Sequence, residues 1–246
     1  MKIVLLTLST LFIITSLSAQ KIELSVQANT GLFHYGGKST TTTSAINQGP
    51  SEQSNYTNNP FGSKNGFGYG GALQAQFVSN NGFILGLQTG YETLKSKVDI
   101  TRINVYYNPD PFPDPSNDGP VIAKGESYLK TQFITLNPYI GYRLNFKKVK
   151  LDLMPGLDIA FASNTHENAK AVGTTNNTTY QTNLKRDNNV STDLRLRFGA
   201  AAMYKRYGIT ASFAHGFTNY EKGIIGDGSY EAHSELLRFG VLYRIL

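Results

Sequence analysis

The chain is written largely in alternation. Between Val149 and Ala162 every second residue is apolar or nearly so. Val149, Leu151, Leu153, Pro155, Leu157, Ile159 and Phe161 share one parity, and Lys150, Asp152, Met154, Gly156, Asp158, Ala160 and Ala162 hold the other. Successive side chains of a strand point to opposite faces, so the first set makes an unbroken apolar stripe. The same period recurs in eight segments, roughly 22–35, 67–78, 83–98, 128–146, 149–162, 192–204, 207–220 and 234–245. The connections alternate too. Asn80-Asn81-Gly82, Lys147-Lys148 and Lys205-Arg206 are tight, whereas 36–66, 99–127, 163–191 and 221–233 are long and rich in Ser, Thr, Asn, Gly and Pro. The pattern predicts an all-β fold, an eight-stranded antiparallel up-and-down transmembrane β-barrel with tight turns at the periplasmic end and long loops outside.

A soluble β-sandwich alternates as well, with its apolar face inward. Three features favour the barrel. The polar face carries small residues, among them Gly86, Gly90, Gly141, Gly156, Ala160, Gly199, Gly208, Gly216 and Gly240. Interior glycine weakens a strand, and a narrow lumen needs small side chains. Aromatic residues gather in two bands, with Phe77, Phe83, Tyr142, Phe146, Tyr204, Tyr207 and Tyr243 near the tight turns and Phe67, Tyr69, Tyr91, Phe161 and Phe217 towards the long loops. Bands of this kind sit at membrane interfaces. The final segment keeps Phe239, Val241, Tyr243 and Ile245 on one face, as a closing strand requires.

Residues 1–19 read as a secretory signal: a basic start at Lys2, an apolar stretch to Leu17, and small residues for cleavage after Ala19 or Ser18. The barrel domain is then 20–246. The chain has no cysteine, which excludes disulfides, thiolate metal sites and a cysteine nucleophile. The formal charge of +6 comes without a long run of like charge, so nucleic acid is not an expected partner.

The segments Leu136-Asn137-Pro138-Tyr139-Ile140-Gly141-Tyr142 and Leu237-Arg238-Phe239-Gly240-Val241-Leu242-Tyr243-Arg244, with the signal ending Ser18-Ala19-Gln20, carry a resemblance. The chain resembles the outer-membrane β-barrel domain family of Bacteroidota that includes PorT-like proteins, and is similar in architecture to the OmpA and OmpX membrane domains. The resemblance implies insertion in the cell outer membrane and no particular activity.

Candidate chemistry is sparse. The histidines His34, His166, His215 and His233 are scattered without metal-ligand spacing. His233-Ser234-Glu235 resembles part of a hydrolytic set, but adjacent strand residues face opposite ways, and His215 shares the parity of Phe213 and Phe217. No catalytic, cofactor or metal residue is assigned, and an enzyme is not expected. Asp110-Pro111-Phe112-Pro113-Asp114-Pro115-Ser116-Asn117-Asp118-Gly119 lacks the spacing of a calcium loop and reads as a rigid turn. The turns Lys147-Lys148 and Lys205-Arg206 would meet lipid head groups or simply keep the hairpins soluble. The polar face carries Glu23, Glu92, Arg143, Lys150, Asp152, Asp158, Asp193, Arg195, Arg197, Arg238 and Arg244. In a barrel this narrow they should interlock as a filling rather than line a pore. A two-residue turn at Lys147-Lys148 places Phe146 opposite Val149, and counting back sets Arg143 opposite Asp152. A parity slip between Ile100 and Ile103 suggests a bulge in a hairpin that projects beyond the membrane, with an edge open to a partner strand.

The expected protein is a non-enzymatic outer-membrane barrel that contacts outer-membrane lipids and an extracellular ligand through its long loops. Alternatives are an accessory of secretion or envelope assembly, as PorT-like kinship suggests, or a narrow small-solute channel. The orientation has a direct check. Cysteines introduced in 163–191 should react with a membrane-impermeant thiol reagent on whole cells, and a cysteine replacing Lys148 should stay unlabelled; labelling at 148 reverses the topology.

Overall fold

In β1 (Lys21–Gly36), Glu23, Ser25, Gln27, Phe33 and Tyr35 are buried while Ile22, Leu24, Val26 and Leu32 lie on the outside. This reverses the usual soluble arrangement and holds around the whole ring. The computed structural model describes residues 21–49, 51–105, 120–186, 190–222 and 230–246. The expected signal, 1–19, and the Pro/Asp segment, 110–119, lie outside the described residues.

Eleven strands form one sheet. Eight of them make the barrel: β1, β4 (Lys64–Val78), β5 (Phe83–Asn104), β6 (Val121–Phe146), β7 (Val149–Gly173), β9 (Thr192–Tyr204), β10 (Tyr207–Gly216) and β11 (His233–Arg244). Each pairs antiparallel with the next, and β11 returns to β1 with Ser25 opposite Arg244 and Gly36 opposite His233. Closure leaves no open edge in the ring, so its backbone groups are satisfied by neighbours.

The outer surface is an apolar band flanked by aromatic residues. Phe83, Tyr142, Phe146, Tyr204 and Tyr207 are exposed near the tight turns, and Phe67, Tyr69, Tyr91, Phe161 and Phe217 at the other end. On β4 the two bands are reached at Tyr69 and Phe77, a nine-residue span. That matches the roughly 9–11 tilted residues a strand needs to cross a bilayer. Among the described residues no helix is long and apolar enough to cross a membrane.

The expected register is observed. Phe146 faces Val149, Leu144 faces Leu151, Tyr142 faces Leu153, Asn145 faces Lys150 and Arg143 faces Asp152. The tight turns require left-handed backbone, with φ of 36° at Lys147, 55° at Lys205 and 92° at Gly82. Gly86 lies opposite Tyr139, and a Cβ there would stand 2.2 Å from the Tyr139 ring, so the glycine lets that ring cross the lumen.

Three long connections differ from the sequence reading. The barrel strands run past the membrane: β5 continues to Asn104, β6 begins at Val121 and β7 runs to Gly173. Three further strands join them, β2 (Thr43–Asn47), β3 (Tyr56–Thr57) and β8 (Thr179–Arg186). The bulge expected near Ile100 is present, between Ile100 and Arg102. The β5 edge expected to be open is not: β2 lies along it, parallel, with Ile46 opposite Ile103. The segment 207–220 is strand only to Gly216, because the chain then turns Tyr220 into the barrel mouth. A basic side chain at the lipid-facing midpoint tests the inversion. Leu73→Arg, midway between Tyr69 and Phe77, should lower folding free energy in bilayers by about 2–4 kcal/mol, whereas the same change near an aromatic band should cost about 0–1 kcal/mol; equal costs at both depths would contradict the placement.

Candidate functional site

The interior is built from two charged layers with amides between them. At the tight-turn end, β6 supplies Arg143, β7 Asp152, β1 Glu23 and β11 Arg244. The Arg143 guanidinium donates from Nε to Asp152 Oδ1 at 2.6 Å and from Nη1 and Nη2 to the two Glu23 oxygens at 2.8 Å. Arg244 adds an ion pair to Glu23 at 2.9 Å. The planar Arg143 fork thus bridges Asp152 and Glu23 bidentately, the geometry in which arginine pairs are strongest, and Glu23 is shared with Arg244.

The middle layer is made mostly of amides, with Arg197 among them. Gln27, Gln74, Gln76 and Gln88 bond to one another and to their neighbours, with Gln88 Nε2 donating to Gln27 Oε1 at 2.7 Å. Tyr139 donates to Gln76 at 2.9 Å, and Arg197 Nη1 donates to Gln88 Oε1 at 2.6 Å. The cavity left among Gln27, Gln74, Tyr139 and Arg197 is about 10 Å³. That is the space of about one water.

Towards the loops lies the second charged layer. Arg195 is fully buried and donates from Nε to Asp193 at 2.7 Å and from Nη1 to Glu92 at 2.8 Å. Its guanidinium carbon stands 4.7 Å from the centre of the Phe133 ring. Arg238 reaches Glu92 at 3.0 Å and Asp158 at 2.7 Å. Four arginines (143, 195, 238, 244) thus meet five carboxylates (23, 92, 152, 158, 193) inside one ring, while Arg197 bonds the Gln88 amide oxygen. Every polar-face charge read from alternation points inward, Lys150 included, though Lys150 forms no ion pair among the described residues.

Above this layer the mouth is closed by aromatic rings from three places in the sequence. Tyr35 of β1 packs edge-to-face on Phe61 of the first long connection at 5.1 Å and on Tyr220 of the last at 4.9 Å. The Tyr220 hydroxyl donates to Asp193 at 2.8 Å, tying the cap to the ionic layer.

The extension at the long-connection end forms a second storey. Its sheet runs β3-β2-β5-β6-β7-β8, with Ile46, Val98, Ile100, Ile103, Ala123, Ala169 and Ala171 as core. The two ends of that sheet meet through side chains rather than a ladder. Asn55 Nδ2 donates to the Gln181 carbonyl at 3.0 Å and Arg186 Nη2 to the Thr57 carbonyl at 2.8 Å. Glu167, fully buried, accepts from the Thr57 amide at 2.6 Å and from Arg186 Nε at 2.5 Å. Outside, the Lys97 ammonium and then the Tyr128 hydroxyl hold the Glu126 carboxyl below the usual carboxylate range. Where β7 exchanges β9 for β8 as its neighbour, a cavity of about 320 Å³ opens among Tyr35, Phe61, Leu129, Leu184, Arg186 and Tyr220.

The histidines stay out of these layers. Ser234 is buried and donates to Asp193 at 2.6 Å, while His233 bonds the Thr218 carbonyl at 3.1 Å, so the two do face apart. His34 and His215 flank Glu235 on the outer surface at 3.2 and 3.7 Å. No group of His, Asp or Glu that would hold a metal occurs among the described residues. Sequence reading missed Phe61, Tyr220 and Glu167. Phe61 and Tyr220 sit in irregular chain, and the alternation of Thr165, Glu167, Ala169 and Ala171 is small and polar enough to pass for loop.

No protein-family model and no curated protein matches the chain. Among solved structures it is similar to Ail, the attachment invasion locus protein of Yersinia pestis in complex with the heparin analogue sucrose octasulfate. The identity is 14%, the match covers 92% of this chain and 99% of that one, and the TM-score is 0.35. Neisserial surface protein A matches at 13% identity over 89% and 96% of the two chains, with a TM-score of 0.34. The translocator domain of the autotransporter NalP from Neisseria meningitidis matches at 12% over 98% and 95%, with a TM-score of 0.30. The barrel assignment rests on the closed ring and its inverted polarity.

The loop-end ionic layer should be costly to break. Arg195→Ala strands Glu92 and Asp193 beside one remaining arginine, Arg238, and removing one partner of a buried pair costs about 3–5 kcal/mol. The urea midpoint of the refolded barrel should fall accordingly, while Lys205→Ala at the exposed turn should leave it within about 0.5 kcal/mol.

Proposed function

We propose that this chain is an integral outer-membrane protein with a plugged barrel and a non-enzymatic role, whose working surface is the extracellular storey. The observation that carries the reading is the contrast between the two halves. The lumen is filled from one end to the other, with about 10 Å³ left in its middle layer. Beyond the membrane, six strands and a separate core build a rigid platform that the barrel does not need for closure. Surfaces held by a rigid scaffold are where binding concentrates. The inverted polarity and the two aromatic bands support the outer membrane as location. The segments Leu136–Tyr142 and Leu237–Arg244 support kinship with the PorT-like group of Bacteroidota, under which an envelope or secretion partner would dock on the same platform. Outward His215, and His233 facing away from Ser234, support the non-enzymatic reading.

Planar-bilayer recording on the refolded protein tests the plug. We expect no reproducible conductance steps from the wild type. Steps whose ion selectivity changes when Arg195 or Arg197 is neutralised would replace this reading with a channel.

A further inference from the structure

The outward face of the extracellular storey carries an arrangement that folding alone does not favour. Lys95 of β5 lies directly opposite Lys130 of β6, Lys130 opposite His166 of β7, and His166 opposite Lys185 of β8. Three lysines and a histidine thus stand in one row across four adjacent strands, about 14 Å from end to end at roughly 4.8 Å per strand. Alternation places all four outside, since their neighbours Leu94, Leu129, Thr165 and Leu184 point inward. Like charges directly opposite one another destabilise a sheet. Among the described residues no carboxylate lies within ion-pair distance of Lys95, Lys130 or Lys185; the nearby Asp99 and Glu126 are engaged by Lys64 and Lys97. Lys124 and Lys170 extend the positive face further from the membrane.

The row's height identifies its partner. Lys95 and Lys130 stand four residues beyond Tyr91 and Ile134, which face each other across β5 and β6 within the apolar band. Phe161 of β7 continues that band beside Ile134. Four residues are about 13 Å of strand, so the apolar wall gives way to a cationic row over the thickness of a head-group layer. A molecule matching both would have acyl chains below and several phosphates above.

We infer that the Lys95–Lys130–His166–Lys185 row binds the phosphorylated head group of an anionic glycolipid in the outer leaflet, whose acyl chains lie against Tyr91, Ile134 and Phe161. The inference rests on the outer-membrane reading above. It adds a lipid site on the barrel wall, beside rather than on top of the platform.

The test uses the full refolded protein in phosphatidylcholine nanodiscs doped with bisphosphoryl lipid A, with protein-bound lipid A quantified by mass spectrometry after extraction. Wild-type protein should retain lipid A, and retain monophosphoryl lipid A less well. Lys95→Gln/Lys130→Gln/Lys185→Gln should reduce retention by roughly tenfold or more, since each lysine near an anionic surface contributes about fivefold. Lys38→Gln, in the first long connection and outside the row, should leave retention unchanged. Equal retention by the triple variant overturns the site, as does equal loss in that control. Capture of soluble heparin through the same three lysines without lipid A retention reassigns the row to a soluble polyanion and also overturns it. Heat-modifiable mobility, read on each variant, separately reports insertion of the barrel. Its loss in the wild type would count against the membrane reading instead.

Discussion

Hydrocarbon offers no hydrogen bonds, and the structure follows from that constraint. A backbone crossing it must satisfy every N–H and C=O internally, which a closed ring of strands achieves and an open sheet does not. The pairing of β1 with β11 completes the ring here. Closure then fixes side-chain polarity. The outer parity must be apolar, and the inner parity holds charges cut off from both lipid and bulk water. Such charges persist only when paired and hydrogen-bonded. The sharing of Glu23 by Arg143 and Arg244, and of Glu92 by Arg195 and Arg238, is how this ring meets that condition. The lumen is therefore a core made largely of paired ions and amides.

Sealing the lumen moves any contact with the surroundings to the surface. The exchange of neighbours along β7 builds that surface. Up to Phe161 the strand pairs with β9, and from Thr165 with β8. The sheet departs from the barrel wall at that step, leaving the 320 Å³ cavity at the junction and an independent apolar core above it. Tyr35, Phe61 and Tyr220 belong to both storeys, because they cap the ionic layer and line the junction.

The membrane-embedded half was legible in the sequence because period two and turn length determine it almost completely. Alternation gave the inward charges, and the two-residue Lys147-Lys148 turn gave the Arg143–Asp152 pair, now seen at 2.6 Å. The upper half was not legible, for physical reasons. Outside the bilayer a strand may carry Thr, Asn and Lys on its outward parity, so β7 beyond Phe161 loses the apolar stripe that marked its lower part, and β8 has none. The parallel β2 is five residues long and its partner lies more than fifty residues ahead, a pairing that no local pattern encodes. Tyr220 lay within a stretch that alternated well enough to look like strand, but tertiary packing on Tyr35 turns it inward.

The parallel pairing of β2 also imposes an order of events. An antiparallel hairpin can zip from its turn as soon as both arms exist. Thr43–Asn47 has only the two-residue β3 as a nearby antiparallel partner, and its main pairing must wait until β5 has been laid against β4 and extended past Asp99. Joining elements so distant along the chain is slow compared with closing neighbouring hairpins. The first extracellular segment therefore emerges early and docks late, bringing Phe61 into the mouth with it. During assembly the barrel passes through an interval in which its wall is forming and its lid is still open. The aromatic cap is complete only after the first long connection has found a strand made later.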